Sequence, residues 1–366
     1  MKKKYSIVIP YHSNHLLLTN CISSLIKTIP VETEIIIVAN NSNPIETDIS
    51  FPFSNVRVYK YDQDLLYPKA VDFGILLAES DNIILSDADT YYTNDWFDQL
   101  TSCYHETEAA IVGSKLLFTD NNRVRDFGMG FNGYNWPHPF KNRPSNHPLV
   151  SENRPFQSIC TASCIIDRKK YEKIGGLSQE LGFSYSDMDL CLRFWEKGYS
   201  VWGCGKAQVY HKGSSTQRDF SHYRKDIRGK FFQRNSMRIK IDMQVYYEQS
   251  SIYFKTKNSL NKEYVFVDLS SIYNKEWHYN LISDLLEITI LDYYSFEQTS
   301  RDLKNLELYE NIPSYIFHLN SPLIYFVDNY TSLQNNSLWK LLRDEPNDIV
   351  IDRHGNIELF ADLTSR

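Results

Sequence analysis

No stretch of this chain approaches the roughly 18 consecutive apolar residues that a membrane-spanning helix requires. The opening residues, MKKKYSIVIPYHSN, carry lysines, but the apolar run before Pro10 is only as long as a strand. That fits neither a secretory signal nor a span. Cysteine is sparse: Cys21, Cys103, Cys160, Cys164, Cys191 and Cys204 lie scattered. Cys160 and Cys164 have no second pair with which to complete a zinc site, so reduced, buried thiols in a cytosolic protein are expected. Basic excess is also missing. Lysine and arginine number 39 against 45 acids, and the net charge of −6 excludes a general nucleic-acid binder. No G-x-G-x-x-G follows the first apolar segment, which excludes a dinucleotide-binding Rossmann site, and no internal repeat is present.

What is there is a core-forming composition. The 366 residues are 42% hydrophobic and 23% charged, which predicts two domains or one large domain with an appendage. The 26 tyrosines and 20 phenylalanines serve cores, subunit contacts or stacking on sugar and base faces. Residues 5–10 and 34–38 read as buried strands, 56–59 as a shorter one and 83–85 as another. Residues 15–28 place Leu17, Leu18, Cys21, Ile22, Leu25 and Ile26 at helical spacing, and 69–78 reads as a second helix. Strand and helix in alternation predict a mostly parallel α/β sheet. Residues 96–104 read as a helix and 109–117 as a strand. The stretch 119–154, rich in Gly, Asn, Pro, Arg and His, reads as a hairpin and flap over the sheet's active edge. Tyr134, Trp136 and His138 would close there on a sugar or acceptor.

The chemistry concentrates in DNIILSDADTYYTNDW, residues 81–96. Carboxylates just past a strand end sit where open α/β sheets bind ligands. Asp87 and Asp89 are two residues apart, so an extended chain points both to one side, where a hard divalent ion bridging to a diphosphate relieves their repulsion. The alternative is a strand followed by a solvated acidic turn. Further on, ICTASCII reads as a strand, 167–174 as a helix stopped by Gly175-Gly176, and FSYSDMDLCLRFWEKGYSVW as a helix with Asp187 in its first turn. QVYH ends a strand at His211. The basic stretch 218–240 is a solvated face, a diphosphate contact or a dock for an anionic membrane. After about residue 245 strands are expected at 264–269 and 315–327, a helix at 279–291 and a hairpin at 349–360, with no chemical constellation.

Taken in order, these motifs resemble the family 2 glycosyltransferases of the GT-A fold. The strand closing at Pro10, SDADTYYTNDW, CTASCIIDRKKYEKIGGL, FSYSDMDLCLRFWEKGYSVW and VYHKGSST are similar to successive family segments, over residues 5–240. The resemblance implies a GT-A-type mostly parallel sheet flanked by helices as the catalytic domain, residues 1–244. Residues 245–366 remain as a smaller α+β accessory domain for oligomerisation or for acceptor or partner binding. It implies that Pro10, Asp87 and Asp89 lie along the donor site, that Asp89 with His211 holds the metal, and that Asp187 is the general base. Three positions depart from the pattern. Ala39 replaces the aspartate that contacts the base, leaving Asn40 to take over; Asp72 stands where an asparagine is usual; Ser186 replaces the acid before the base, which removes a like charge.

The implied reaction makes chemical sense. A divalent metal, Mn²⁺ or Mg²⁺, at Asp87, Asp89 and His211 would meet the charge of a leaving diphosphate, and the histidine tilts the choice toward Mn²⁺. Lys212 and Arg218 would add charge-assisted bonds. A base in the first turn of a helix is kept ionised by the helix dipole, and one base attacking opposite the leaving group gives inversion. The expected enzyme moves a hexosyl or deoxyhexosyl unit from a nucleotide-sugar donor to a glycan, lipid-linked or protein-linked acceptor in bacterial-type surface glycan assembly. A UDP-sugar is the first expectation, with dTDP- and GDP-sugars as alternatives. Its expected setting is the cytoplasm, peripheral on the inner face of the membrane, as a homodimer. A sugar-1-phosphate nucleotidyltransferase would need a Gly-rich basic loop after the first strand, and PYHSNHLLL has none. A non-catalytic GT-A-fold binding or scaffold subunit is the alternative, and the joint retention of Asp87, Asp89, Asp187 and His211 argues against it.

Overall fold

The computed structural model describes residues 4–40, 48–61, 65–133, 135–213, 221–270, 275–295, 316, 319–330, 342–343 and 345–364. The chain forms two compact units, Met1–His138 with Arg143–Ile241, and Pro139–Asn142 with Asp242–Arg366.

The first unit begins with β1 (Ser6–Tyr11), α1 (His15–Leu25), β2 (Glu34–Ala39), β3 (Val56–Lys60), α2 (Tyr67–Leu77) and β4 (Asn82–Ser86). The EIIIVA run of β2 is buried throughout, as a strand covered on both faces must be. Helix α1 is capped by Asn14, whose side chain accepts the Leu17 N–H, and it buries Leu17, Leu18, Cys21, Ile22 and Leu25. Pro68 sits in the first turn of α2, where its missing N–H costs nothing. There follow β5 (Thr90–Tyr92), α3 (Trp96–Thr107), β6 (Ile111–Leu117), β7 (Val124–Asp126), β8 (Arg154–Pro155), β9 (Ser163–Asp167), α4 (Arg168–Lys173), α5 (Gly182–Glu196), β10 (Val201–His211) and α6 (Ser221–Asn235).

These strands form one mixed ten-stranded sheet in the order β3-β2-β1-β4-β9-β6-β10-β5, with β7 paired to β6 and β8 to β10. Strands β1 to β4 run parallel. Strand β9 is antiparallel to both β4 and β6, and β6 is parallel to β10. The carboxyl ends of β1, β2, β4 and β10 therefore share one edge. Strand β10 is a single long element with a register shift between Cys204 and Gln208.

The stretch 119–154 is a hairpin at its start, β7 folding back on β6, but it is packed rather than open. Phe127, Met129, Phe131 and Val150 are buried. The Lys115 ammonium, itself buried, donates to the carbonyls of Ser145 and Val150 at 2.7 and 2.9 Å.

The second unit holds α7 (Met243–Lys257), β11 (Glu263–Asp268), α8 (Lys275–Leu286), β12 (Thr289–Ser295), β13 (Leu323–Val327), β14 (Ile349–Asp352), β15 (Ile357–Leu359) and α9 (Phe360–Thr364). Its five-stranded sheet has the order β12-β11-β13-β14-β15, parallel except for β15. Val265, Val267, Leu323, Tyr325, Val350 and Phe360 belong to its core. Pro139–Asn142 belongs here too: Phe140 is buried, packs edge-on against Tyr246 at 5.8 Å and donates its N–H to the His354 carbonyl.

Candidate active site

The acidic segment turns sharply where β4 ends. The Asp87 N–H donates to the Ala162 carbonyl at 2.8 Å, and the Thr90 hydroxyl donates back to the Asp87 carbonyl at 2.8 Å. Strand β5 then pairs antiparallel with the end of β10, setting Thr90 opposite His211. That register brings together residues more than a hundred positions apart. His211 Nε2 lies 3.2 Å from Asp89 Oδ1 and 3.7 Å from Asp87 Oδ2. One ligand atom from each of Asp87, Asp89 and His211 falls within 4.8 Å of the others.

Electrostatics mark this as a strained cluster. Burial lifts the Asp87 carboxyl above its usual range, with Asp89 adding to the lift and His211 opposing it. Burial works against a charged His211, yet the hydrogen bond and charge of Asp89, with Asp87 behind, hold its pKa above the ordinary value. His211 Nδ1 is buried with no hydrogen-bond partner among the described residues. Two carboxylates and an imidazole converging on one point make a donor set that suits Mn²⁺ or Mg²⁺, so the residues fit a divalent ion.

Asp187 sits in the second turn of α5, which starts at Gly182, not in the first turn. The dipole argument for an ionised carboxylate therefore does not hold here. Burial instead pushes Asp187 up to about 7, Asp126 and Asp87 adding their charge and the bond from the Met188 N–H opposing. The half-buried Cys160 thiol is lifted by burial and by the charges of Asp126, Asp187 and Asp87, so all three carboxylates bear on it.

The remaining expected residues are placed as follows. Asn40, at the carboxyl end of β2, is buried; its Nδ2 donates to the Leu65 carbonyl at 2.9 Å, and its Oδ1 has no partner among the described residues. Pro10 stays within β1 opposite Val38, and Tyr11 continues the strand. Lys212 is exposed, and its backbone N–H donates to the Asp89 carbonyl. Asp72 is not part of the cluster: Oδ1 accepts from the Tyr171 hydroxyl at 2.5 Å and Oδ2 from Gln179 Nε2 at 2.7 Å. Both oxygens tie α2 to the segments around the Gly175-Gly176 turn. Arg218 and Tyr134 lie outside the described residues.

Three residues here were not singled out as candidates with Asp187 or the metal ligands. Asp126 is buried in β7 and pairs with His138 Nδ1 at 2.7 Å. Arg125, its neighbour, bears on His211. Tyr67 is half-buried near Asp87, its hydroxyl 3.2 Å from that of Thr161. Only the β6–β7 hairpin brings Arg125 and Asp126 here, and no spacing in the chain announces it. Trp136 packs edge-on against Tyr185 of α5 at 5.4 Å, and the Arg228 guanidinium lies over the Trp136 ring at 5.2 Å.

Residues 6–175 match the family described as Glycosyl transferase family 2. The chain carries a family 2 glycosyl transferase domain. It is 27% identical over 228 residues to the O-antigen biosynthesis protein RfbC of Myxococcus xanthus, covering 59% of this chain and 18% of that protein. It is 24% identical over 226 residues to the uncharacterized protein y4gI of Sinorhizobium fredii (strain NBRC 101917 / NGR234), covering 58% and 25%. The chain thus spans a quarter or less of the length of these curated relatives. Among solved structures it is similar to GalNAc-T7 with UDP, GalNAc and Mn²⁺, at a TM-score of 0.52 and 13% identity, covering 78% of this chain and 55% of that one. At that identity the likeness speaks for the GT-A fold of the glycosyl transferase domain.

Proposed function

We propose that the chain is an inverting, divalent-metal-dependent glycosyltransferase that moves a sugar from a nucleotide diphosphate to an acceptor hydroxyl. The observation that carries this is the convergence of Asp87, Asp89 and His211 within 4.8 Å, with Asp187 near enough for the Asp87 charge to bear on it. A divalent ion held by the three supplies charge neutralisation for the departing diphosphate. Asp187 takes the proton of the acceptor hydroxyl as its oxygen bonds to the anomeric carbon; the bond from that carbon to the phosphate oxygen breaks, and its electron pair leaves with the nucleotide. One displacement inverts the anomeric carbon. A base with a pKa near 7 is matched to such proton transfer at neutral pH. Asn40 Oδ1, an acceptor without a partner among the described residues, is suited to an N–H of the nucleobase, which favours uracil- or thymine-type donors and admits guanine.

The relative named for O-antigen biosynthesis supports surface-glycan assembly as the setting. The acceptor we propose is a glycan, lipid-linked or protein-linked, met in the cytoplasm at the inner membrane face. No described helix is long and apolar enough to cross a membrane. The test is turnover of a panel of UDP-, dTDP- and GDP-sugars with and without EDTA, run beside Asp89→Ala and His211→Ala. Expected is release of one nucleoside diphosphate, abolished by EDTA, restored by Mn²⁺, and cut by about 10²-fold or more in both variants. Turnover indifferent to EDTA would remove the metal, and no turnover of any donor would leave the scaffold reading.

A further inference from the structure

Arg125 lies in β7, far in sequence from every motif residue, with its guanidinium over the Phe118 ring at 5.4 Å. It also fills the space over Gly213, two residues past His211. A side chain on Gly213 would collide with the Arg125 guanidinium. Gly213 has φ +61°, so both its backbone and the guanidinium demand a residue without a side chain. No hydrogen bond or ion pair to Arg125 is found among the described residues. A half-buried guanidinium with its fork of donors unused therefore stands beside a cluster that is itself suited to a cation.

Two cationic groups share a site when an anion lies between them. Asp87 and Asp89 cancel a divalent ion, so the cluster alone offers a nucleotide-sugar diphosphate no net charge. Arg125, with Lys212 next to His211 in the chain, supplies positive charge to match its two negative charges. The position along the donor follows from the strand. Neighbouring residues of β7 point opposite ways. Asp126 bears on Asp187, and Arg125 bears on His211. The strand therefore straddles the base and the metal ligands, at the sugar end of the donor and not at the Asn40 end.

We propose that Arg125 binds the sugar-bearing phosphate of the donor and stabilises the charge that gathers on it as the bond to the sugar breaks. This rests on the glycosyltransferase reading above. The test is calorimetry in Mn²⁺ with UDP, dTDP and GDP, and with the monophosphate of whichever binds tightest, on wild type, Arg125→Gln and Arg125→Lys. Melting curves without ligand check that each variant is folded. Expected for Arg125→Gln is about tenfold weaker binding of the diphosphate, an unchanged monophosphate affinity and a kcat lowered by about 10²-fold. Arg125→Lys, which keeps the charge but loses the fork, falls between. Diphosphate affinity equal to wild type in Arg125→Gln overturns the proposal, and so does an equal loss for monophosphate and diphosphate. A wild type that binds no nucleoside diphosphate in Mn²⁺ overturns the parent reading, and this one with it.

Discussion

Asp187 sets the pH range of the proposed chemistry. Its carboxyl is lifted to about 7, chiefly by burial, against about 3.9 in an unfolded chain. A carboxyl lifted in the fold binds its proton more tightly folded than unfolded, so its ionisation costs stability. That cost grows as pH rises from about 4 to about 7 and stays constant above. Asp187→Asn should therefore melt several degrees above wild type at pH 8, with the gain shrinking toward pH 5, while turnover falls by at least about 10²-fold. Wild-type kcat/KM should drop as pH falls below about 7. Near-normal turnover of Asp187→Asn, or a melting difference indifferent to pH, would sink the assignment. Asp187 could be named from the chain because the helix pattern around it is dense with cues. Its ionisation could not, because that depends on Asp126 and on burial. Asp87 and Asp89 were legible from one strand end, whereas Arg125 and Asp126 acquire meaning only through a pairing with β6.

Helix α5 aims that residue, and Arg193 fixes how the chain enters the helix. Its guanidinium donates to Asp189 at 2.7 Å, to the Ile174 carbonyl at 2.7 Å and to the Gly176 carbonyl at 2.6 Å. Gly175 and Gly176 hold φ of 81° and 66°, the left-handed region that favours glycine. Arg193→Ala leaves the fully buried Asp189 short of one cation, although Arg234 and Asn235 still reach it. A loss of about 3 kcal/mol is expected in urea unfolding, and Arg193→Lys should recover only part of it. A loss under about 1 kcal/mol would show that the turn holds itself. The strands and helices up to β4 were readable because apolar runs and 3.6-residue spacing alternate cleanly. The start of α5 was not, since Gly182 precedes the first apolar residues of the pattern. Strand β12 was read as the end of a helix, because Ile288, Ile290 and Leu291 fit either period until parallel pairing with β11 decides.

At the scale of the whole chain, the second unit carries a sheet and core of its own, and among the described residues no His/Cys/Asp/Glu group there converges as a metal site. Among the described residues its exposed feature is an edge. Strand β12 ends the sheet order, with Leu291 half exposed and Thr289 and Asp292 exposed. An open strand edge bearing apolar side chains pairs with another strand, and a copy of itself across a two-fold axis is the simplest partner. The expected outcome is a homodimer at micromolar concentration by light scattering, reduced to a monomer by Leu291→Lys with turnover retained. The full chain is the right subject, because removing residues 242–366 would also strip Phe140 of Tyr246 and His354, beside the His138 that pairs with Asp126. A monomeric wild type would remove self-association and leave the acceptor, or a partner protein, as the occupant of this edge.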